Sequence, residues 1–362
     1  MKKILLCATM TSLLFTAAAQ NAPELLINDA YRIVTAAQPI PAEEFAATEL
    51  KAYLDKVTSK AFTIVSEANH DGAPAIHLGQ TALATANCAS DYGKEEYHLK
   101  AVGKNVIITG GRPRGVLFGT YEFLERFAGV RFLSLDFEHI PSRNAIAVPA
   151  NLDIRYAPPF IYRDIYPGHA YIPGQYRRKI RQNSGGHLPR LGFNENYGSP
   201  RGVHSMHIYS ADFPKEISWM NKDGDRQVIS TPYKGSICFS QPEVLERFAA
   251  KVKDYVKQDR ARCAETGAPW PVFYVVDQND CAVECFCPEC QAKVKQHDVS
   301  GLVIDFMNKL WERVSGDYPD IYLMMFAYHD STTPPTSSLK PKGNVIVRLA
   351  YMDHEFSGSG KV

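Results

Sequence analysis

The sequence predicts an α/β protein, in which a small N-terminal α/β domain precedes a larger domain built on parallel strands. Three observations lead to this prediction. Short runs of β-forming residues alternate with amphipathic helices, as in βα units. Several apolar runs end abruptly in acids and amides, which is typical of buried parallel strands. The 362 residues suffice for two domains, by a prior of roughly 100 to 200 residues each.

The composition excludes some classes of partner. Hydrophobic residues make up 45% of the chain and charged residues 22%, as in an ordinary globular protein. The formal net charge is +1, and it becomes about −1 without Lys2 and Lys3. Because no basic excess exists, we expect no nucleic-acid partner.

The first residues have the pattern of a secretory signal peptide. Met1–Ala19 combines two lysines, a short apolar stretch and a run of small residues, which predicts cleavage before Gln20. The apolar stretch is too short to span a membrane, and no later segment reaches the required length. We therefore expect a protein that is secreted or periplasmic and has no membrane span.

Residues 22–150 are predicted to form the N-terminal α/β domain. An apolar stripe predicts a helix over Glu43–Val57, and a second helix is predicted over Arg114–Phe127, ended by Gly129. Strands are predicted at Phe62–Val65, Ala75–Leu78, Tyr97–Ala101 and Asn105–Thr109. The pair Gly110-Gly111 precedes the second helix, and close packing explains it better than phosphate binding, which requires a fuller glycine pattern.

The proline-containing residues 141–159 are predicted to be a linker, and residues 158–362 the second domain. Two long helices are predicted here, at Pro242–Lys257 and Ser300–Val314. Strands are predicted at Phe160–Tyr166, Val272–Val276, Ile321–Tyr328 and Asn344–Tyr351. Strand signals number only about six, and the 205 residues lie near the lower limit of roughly 200 for an eight-stranded barrel, so we expect an incomplete barrel.

Polar residues at the strand ends are the candidate functional groups. Ligands of α/β folds bind at the carboxyl edge of the sheet. The strand Val272–Val276 leads into Asp277, Gln278, Asn279 and Asp280. The last two predicted strands lead to Tyr328 and His329 and to Asp353. Taken singly, each acid is equally well explained as a turn or capping residue.

Four cysteines form a second candidate site. Cys285, Cys287 and Cys290 follow the acidic strand end. The fourth member is either Cys238, which precedes the predicted helix at Pro242, or Cys281. Four thiolates at such spacing can hold a structural zinc ion. The same cysteines can instead form one or two disulfides in an exported chain. The spacing leaves both alternatives open.

Two regions resemble known glycosidase families. Residues 108–133, ITGGRPRGVLFGTYEFLERFAGVRFL, resemble the end of the domain that precedes the barrel in family 20 hexosaminidases and α-glucuronidases. The second half resembles the domain-of-unknown-function family 4838, part of which is classed as glycoside hydrolase family 163. The motifs that carry this resemblance are Gln278-Asn279-Asp280, Cys285-x-Cys287-x-x-Cys290, Ala327-Tyr328 before Pro334-Pro335, and Asn344–Arg348 leading to Asp353.

The resemblance implies a (β/α)8 barrel and an endo-β-N-acetylglucosaminidase that acts on oligosaccharides or glycoprotein N-glycans and needs no cofactor for catalysis. Such enzymes are retaining and substrate-assisted, because the acetamido group of the sugar is the nucleophile. Catalytic carboxyl groups are then expected at Asp280 and Asp353, with Asp277 in reserve. The residues expected to line the sugar subsite are Arg163, His204, Asn279, Tyr328 and His329. Two alternatives remain open, a non-catalytic glycan-binding protein and an α-glucuronidase-like enzyme.

Overall fold

A computed structural model describes residues 23–163, 174–183, 191–192, 197–200, 202–266 and 270–350. The chain divides into two compact units. The first comprises residues 1–182 and 190–192, and the second comprises residues 183–189 and 193–362. Within the described ranges, no helix is both long enough and apolar enough to cross a bilayer.

The first unit is built on a mixed six-stranded sheet. The strands of the whole unit are, in chain order, β1 Glu24–Ile27, β2 Arg32–Thr35, β3 Thr63–Ser66, β4 Ala75–Leu78, β5 Tyr97–Val102, β6 Asn105–Gly110, β7 Arg131–Phe132, β8 Glu138–His139, β9 Ile146–Pro149 and β10 Asp153–Tyr156. The main sheet has the order β10-β5-β6-β4-β2-β3, with parallel pairing from β6 to β3 and antiparallel pairing at β5 and β10. The four strands predicted from the sequence are all present.

Helices α1 (Pro41–Thr58) and α3 (Gly115–Phe123) pack against each other, and the short α2 covers Ala82–Asn87. One π-helical turn extends α3 to Ala128, and Gly129 ends it at φ +77°. The predicted role of the glycine pair in close packing is confirmed. A Cβ atom on Gly111 would lie 1.8 Å from the carbonyl oxygen of Gly93, so only glycine fits this strand-to-helix turn.

The stretch 141–159, predicted as a linker, instead contributes two strands. Ile146 and Val148 of β9 are buried, and β9 pairs with β1 while β10 extends the main sheet at β5. The predicted strand at Phe160–Tyr166 is absent from its described part, residues 160–163. There the guanidinium group of Arg163 donates to the carbonyl oxygen of Phe160 at 2.6 Å, so the chain turns back on itself and is not extended.

The second unit contains three parallel strands and two long helices. Helix α4, Gly174–Lys179, is the last element of the first unit. The elements of the second unit are, in chain order, α5 Met206–Ser210, β11 Trp219–Met220, β12 Arg226–Gln227, α6 Pro242–Thr266, β13 Phe273–Val275, α7 Pro288–Val314, β14 Tyr322–Ala327 and β15 Val345–Leu349. Strands β13, β14 and β15 pair in that order, and β11 and β12 form a separate hairpin. The three predicted strands of this region are confirmed, and the described residues contain no closed barrel.

Helices α6 and α7 enclose the core of this unit. The rings of Tyr209 and Phe248 stack at 5.1 Å, and Phe306 of α7 meets Phe248 edge-on at 5.3 Å. The predicted helix at Ser300 is the second half of α7, which begins earlier, at Pro288. The two halves meet at Asp298, whose φ of +66° interrupts the helix. The first half thus brings Cys290 into the core beneath the sheet edge.

Candidate functional site

The carboxyl ends of β13 and β14 bring the polar residues of two strand ends together. The backbones run parallel and in register, with Val275 opposite Met324, so the segments that follow leave the sheet at one edge. Asp277–Asp280 follows β13, and Tyr328 and His329 follow β14. This is the edge at which α/β folds bind ligands.

Asp280 is the accessible acid of this edge. Its side chain is 36% exposed, and its Oδ1 atom accepts a hydrogen bond of 2.8 Å from the hydroxyl group of Tyr328. The Nε2 atom of His204 lies 3.9 Å from the same oxygen. The hydrogen bond to Asp280 raises the pKa of Tyr328, so the phenol stays protonated and donates. The phenol therefore fixes the position of the Asp280 carboxyl group.

His204 has a defined orientation beside this acid. Its Nδ1 atom lies 3.0 Å from the carbonyl oxygen of Gln278. Because a carbonyl oxygen only accepts, Nδ1 carries the proton, and Nε2 is the atom that faces Asp280. The imidazole ring packs at 5.4 Å from Phe326 and 5.6 Å from Tyr328. The backbone of His204 is left-handed, with φ +56°, a conformation that is uncommon outside glycine.

His329 is a second histidine beside Tyr328. It is exposed, and its ring centroid is 4.0 Å from that of Tyr328. Its backbone is also left-handed, with φ +50°. Two histidines with left-handed backbone conformations therefore contact the tyrosine that holds Asp280. Such conformations are often concentrated at functional sites.

Asp277 is a different kind of acid, because it is fully buried. Its Oδ2 atom accepts a hydrogen bond of 2.6 Å from Nη2 of Arg348, and Oδ1 has no partner among the described residues. Burial raises the pKa of Asp277 to about 7, although the neighbouring guanidinium group acts to lower it. Arg348 belongs to β15, and β14 lies between β15 and the strand that leads to Asp277. The guanidinium group of Arg348 lies 4.1 Å from the ring centroid of Phe326 in β14.

Gln278 and Asn279 hold the strand end in place. Both are 1% exposed. The amide of Asn279 accepts from the backbone nitrogen of His207 and donates to the carbonyl oxygen of Gly235, each at 3.0 Å. Gln278 donates to the carbonyl oxygen of Tyr328 at 2.9 Å. In this structure these amides connect the loops around Asp280, and a sugar contact by Asn279 stays a prediction.

One of the predicted site residues is not part of this group. Arg163 belongs to the first unit, where its guanidinium group donates to Glu95 at 2.7 Å and to the carbonyl oxygen of Arg181 at 2.9 Å. Asp353 lies outside the described residues. The edge therefore unites Asp277, Asn279, Asp280, His204, Tyr328 and His329.

The sequence analysis missed Arg348 as the partner of Asp277. The available signal was a charged residue in the apolar run Val345–Leu349, which predicts an unusual neighbour on one face of the strand. It also missed Ser331, whose buried hydroxyl group donates to the side chain of Gln278. A serine two residues beyond a histidine carries no comparable signal, because serine is common in turns.

The four cysteines of the second candidate site converge. The sulphur atoms of Cys238, Cys285, Cys287 and Cys290 all lie within 4.8 Å of one another, and all four residues are buried. No disulfide joins any of the four. Sulphur atoms in this arrangement can hold a metal ion.

Comparison with known proteins gives two family matches. Residues 132–360 match the family described as a domain of unknown function, DUF4838. Residues 18–123 match the N-terminus of glycosyl hydrolase family 67. The first match covers well over half of the chain. The second match spans strands β1 to β6 and helices α1, α2 and α3 of the first unit.

Individual relatives are more distant. Alpha-glucuronidase A of Emericella nidulans is 32% identical over 115 residues, which are 30% of this chain and 13% of that protein. This chain therefore spans only a small part of the relative's length. Among solved structures, the GH20 β-N-acetylhexosaminidase of Streptomyces coelicolor A3(2) is 11% identical, with a TM-score of 0.43 over 92% of this chain and 67% of that chain. The β-N-acetylhexosaminidase of Bacteroides fragilis NCTC 9343 is 9% identical, with a TM-score of 0.41 over 91% and 68%. The extent of the first family match shows that the chain belongs to the DUF4838 family.

Proposed function

We propose that this protein is a glycoside hydrolase that acts on N-acetylglucosamine-containing glycans, as a retaining and substrate-assisted endo-β-N-acetylglucosaminidase. The observation that carries the proposal is the setting of Asp280. This acid is partly exposed at a parallel strand end, is held by the hydroxyl group of Tyr328 and faces Nε2 of His204. The match of residues 18–123 to the N-terminus of glycosyl hydrolase family 67 supports the same class.

Asp280 would act as the orienting carboxylate. The phenol donor fixes the orientation of its carboxyl group, which suits a group that accepts a hydrogen bond from the acetamido N–H of the sugar. That hydrogen bond turns the acetamido oxygen towards the anomeric carbon and increases its nucleophilicity. The rings of Tyr328 and His329 would provide the apolar surface on which a sugar ring stacks.

Asp353 is the proposed proton donor, because it follows the end of β15 by four residues. The acetamido oxygen attacks the anomeric carbon, and the bond from that carbon to the glycosidic oxygen breaks as the oxygen takes the proton of Asp353. Water then attacks the same carbon, gives its proton to the Asp353 carboxylate and reopens the oxazoline ring. Two inversions leave the configuration retained.

Asp277 is proposed as a supporting residue. It is fully buried, so a substrate cannot reach it without a rearrangement of the core. Its contact with Arg348 fixes β15 against the other strands. Arg348 lies five residues before Asp353 in the sequence. Asp277 would therefore determine the course of the chain that carries the proton donor.

Two wider proposals accompany the function. We infer that the parallel strands belong to a (β/α)8-type barrel, in keeping with the resemblance to barrel glycosidases. We also infer export to the periplasm or the cell exterior, because residues 1–19 have the composition of a signal peptide. Glycoproteins and free oligosaccharides, the proposed substrates, occur in those compartments.

The test is digestion of glycoproteins that carry high-mannose or complex N-glycans, with released glycans identified by mass spectrometry. The wild type is expected to release glycans that contain one N-acetylglucosamine fewer than the intact N-glycan, because that residue stays on the protein. Asp280→Asn should reduce the rate by about 100-fold or more, as expected for loss of a catalytic carboxylate. Asp254→Asn, on the exposed face of α6, is the matched control and should keep full activity.

The remaining alternatives correspond to other outcomes. Binding of glycans without release, unchanged by Asp280→Asn, would indicate a non-catalytic glycan-binding protein. Release of glucuronic acid from a glucuronide would indicate the activity named in the relative from Emericella nidulans. A uronate needs an arginine partner, and both Arg163 and Arg348 are engaged with internal acids.

A further inference from the structure

The four converging cysteines come from three separate parts of the second unit. Cys238 precedes α6, Cys285 and Cys287 lie in the loop between β13 and α7, and Cys290 is in the first turn of α7. Each is 0% exposed. Segments that are 49 and 52 residues apart in the chain thus direct sulphur atoms at one point.

The sulphur spacing fits a tetrahedral metal site. The sulphur atoms of Cys238 and Cys287 are 3.5 Å apart, and those of Cys238 and Cys290 are 3.9 Å apart. Zinc–sulphur bonds of about 2.3 Å in a tetrahedron place sulphur atoms about 3.8 Å from one another. A disulfide requires about 2.05 Å and joins only two of them. All four sulphur atoms are instead mutual neighbours.

The surroundings suit thiolates. The backbone nitrogen of Met220 donates to the sulphur of Cys285, and that of Cys290 donates to the sulphur of Cys287, each at 3.4 Å. Cys287 is the N-cap of α7, a helix end that favours negative charge. The positively charged Arg226 of the β11–β12 hairpin lies near Cys238. Two N–H donors, a helix terminus and a cation offset the net charge of −2 that a zinc ion with four thiolates carries.

We propose that Cys238, Cys285, Cys287 and Cys290 hold one zinc ion as four thiolates, in a closed structural site. Four protein ligands leave no open position, so this zinc takes no part in chemistry. Its effect is to join the start of α6, the loop after β13 and the start of α7.

This site also supports the edge that carries Asp280, a consequence that rests on the proposed function. The carbonyl oxygen of Gly235 accepts from Asn279 at 3.0 Å and from the thiol of Cys281 at 3.2 Å. Gly235 lies three residues before Cys238, and Cys281 four residues before Cys285. The two chain segments that hold zinc are thus the ones that fix the residues on either side of Asp280.

The first test is the metal content of the full chain, purified without chelator and measured by inductively coupled plasma mass spectrometry. We expect about one zinc per chain. When the protein is denatured with a chelator, the zinc should be released and the four thiols should become reactive. Zinc below about 0.1 per chain, an equivalent of iron in its place, or disulfides among these four cysteines in peptide mapping would overturn the proposal.

The second test uses variants and cobalt. Cys287→Ser should lower zinc to below about 0.1 per chain, whereas Cys88→Ser in the first unit should retain about one. If Cys287→Ser does not fold, cobalt exchange into the wild type decides instead. A tetrahedral four-thiolate site gives intense thiolate-to-cobalt charge-transfer absorption, and its absence would contradict the site. Zinc at full occupancy without glycan cleavage would refute the proposed function and leave the metal site intact.

Discussion

Replacing Asp277 by Asn should change how the stability of the second unit depends on pH. The folded protein holds the proton of Asp277 up to a pKa of about 7, because the carboxyl group is buried, whereas its usual pKa is 3.8. Between these values the folded protein binds a proton that the unfolded chain has lost. The free energy of unfolding of the wild type therefore falls as pH rises from about 4 to about 7.

The magnitude follows from the same two values. A difference of about 3 pH units, at about 1.4 kcal/mol per unit, gives a loss of about 4 kcal/mol relative to Asp277→Asn across this window. The loss should be complete above pH 8. Arg348→Met removes the cation that lowers the pKa of Asp277, so it should extend the loss to higher pH.

Urea unfolding at several pH values, followed by tryptophan fluorescence, measures this effect. All three tryptophans, Trp219, Trp270 and Trp311, belong to the second unit, so the signal reports that unit alone. Subtracting the Asp277→Asn curve removes the titration of all other groups. A difference that is flat, or one in which the wild type gains stability as pH rises, would show that Asp277 is ionised throughout and refute the reasoning.

Three further predictions concern single side chains. Tyr328→Phe removes the hydroxyl donor to Asp280 and should lower kcat/KM by about 10- to 100-fold, with an unchanged urea midpoint, as expected for a charge-assisted hydrogen bond. Tyr209→Phe removes a buried hydroxyl group that has no partner among the described residues and should raise the free energy of unfolding by about 1 kcal/mol; a loss of 1 kcal/mol would reveal a hidden partner. Gly111→Ala forces a Cβ against the carbonyl oxygen of Gly93 and should destabilise the first unit by about 3 kcal/mol, measured by proteolysis of that unit; resistance equal to wild type would contradict the packing.

The elements with strong periodic patterns could be predicted from the sequence. Val303, Phe306 and Leu310 repeat at helical spacing and are all buried in α7. The strand ends of β13 and β14 were predicted from the change between apolar and polar residues. The failures lie where tertiary contacts override local signals. Residues 153–156 form an edge strand only because β5 offers a pairing partner, and prolines nearby indicated a linker.

Part of the candidate site was also predictable. The acids at the strand end were recognisable as candidates because an apolar run that ends in polar residues is typical of a buried parallel strand, whose carboxyl edge binds ligands. The sequence could not show which of these acids is buried and which is accessible to a substrate. Asp277 is 0% exposed and pairs with Arg348, while Asp280, three residues later, is 36% exposed. Which turn of the chain buries which acid depends on contacts with other strands.

Binding of an N-acetylglucosamine-derived thiazoline, measured by calorimetry, tests the central claim most directly. The compound mimics the oxazoline intermediate, and its ring nitrogen takes the place of the acetamido nitrogen that Asp280 is proposed to orient. The wild type should bind it about 10- to 100-fold more tightly than Asp280→Asn, as expected for one charge-assisted hydrogen bond, and Asp254→Asn should match the wild type. Equal affinity of the wild type and Asp280→Asn, or no binding to either, would contradict substrate-assisted hydrolysis at this site.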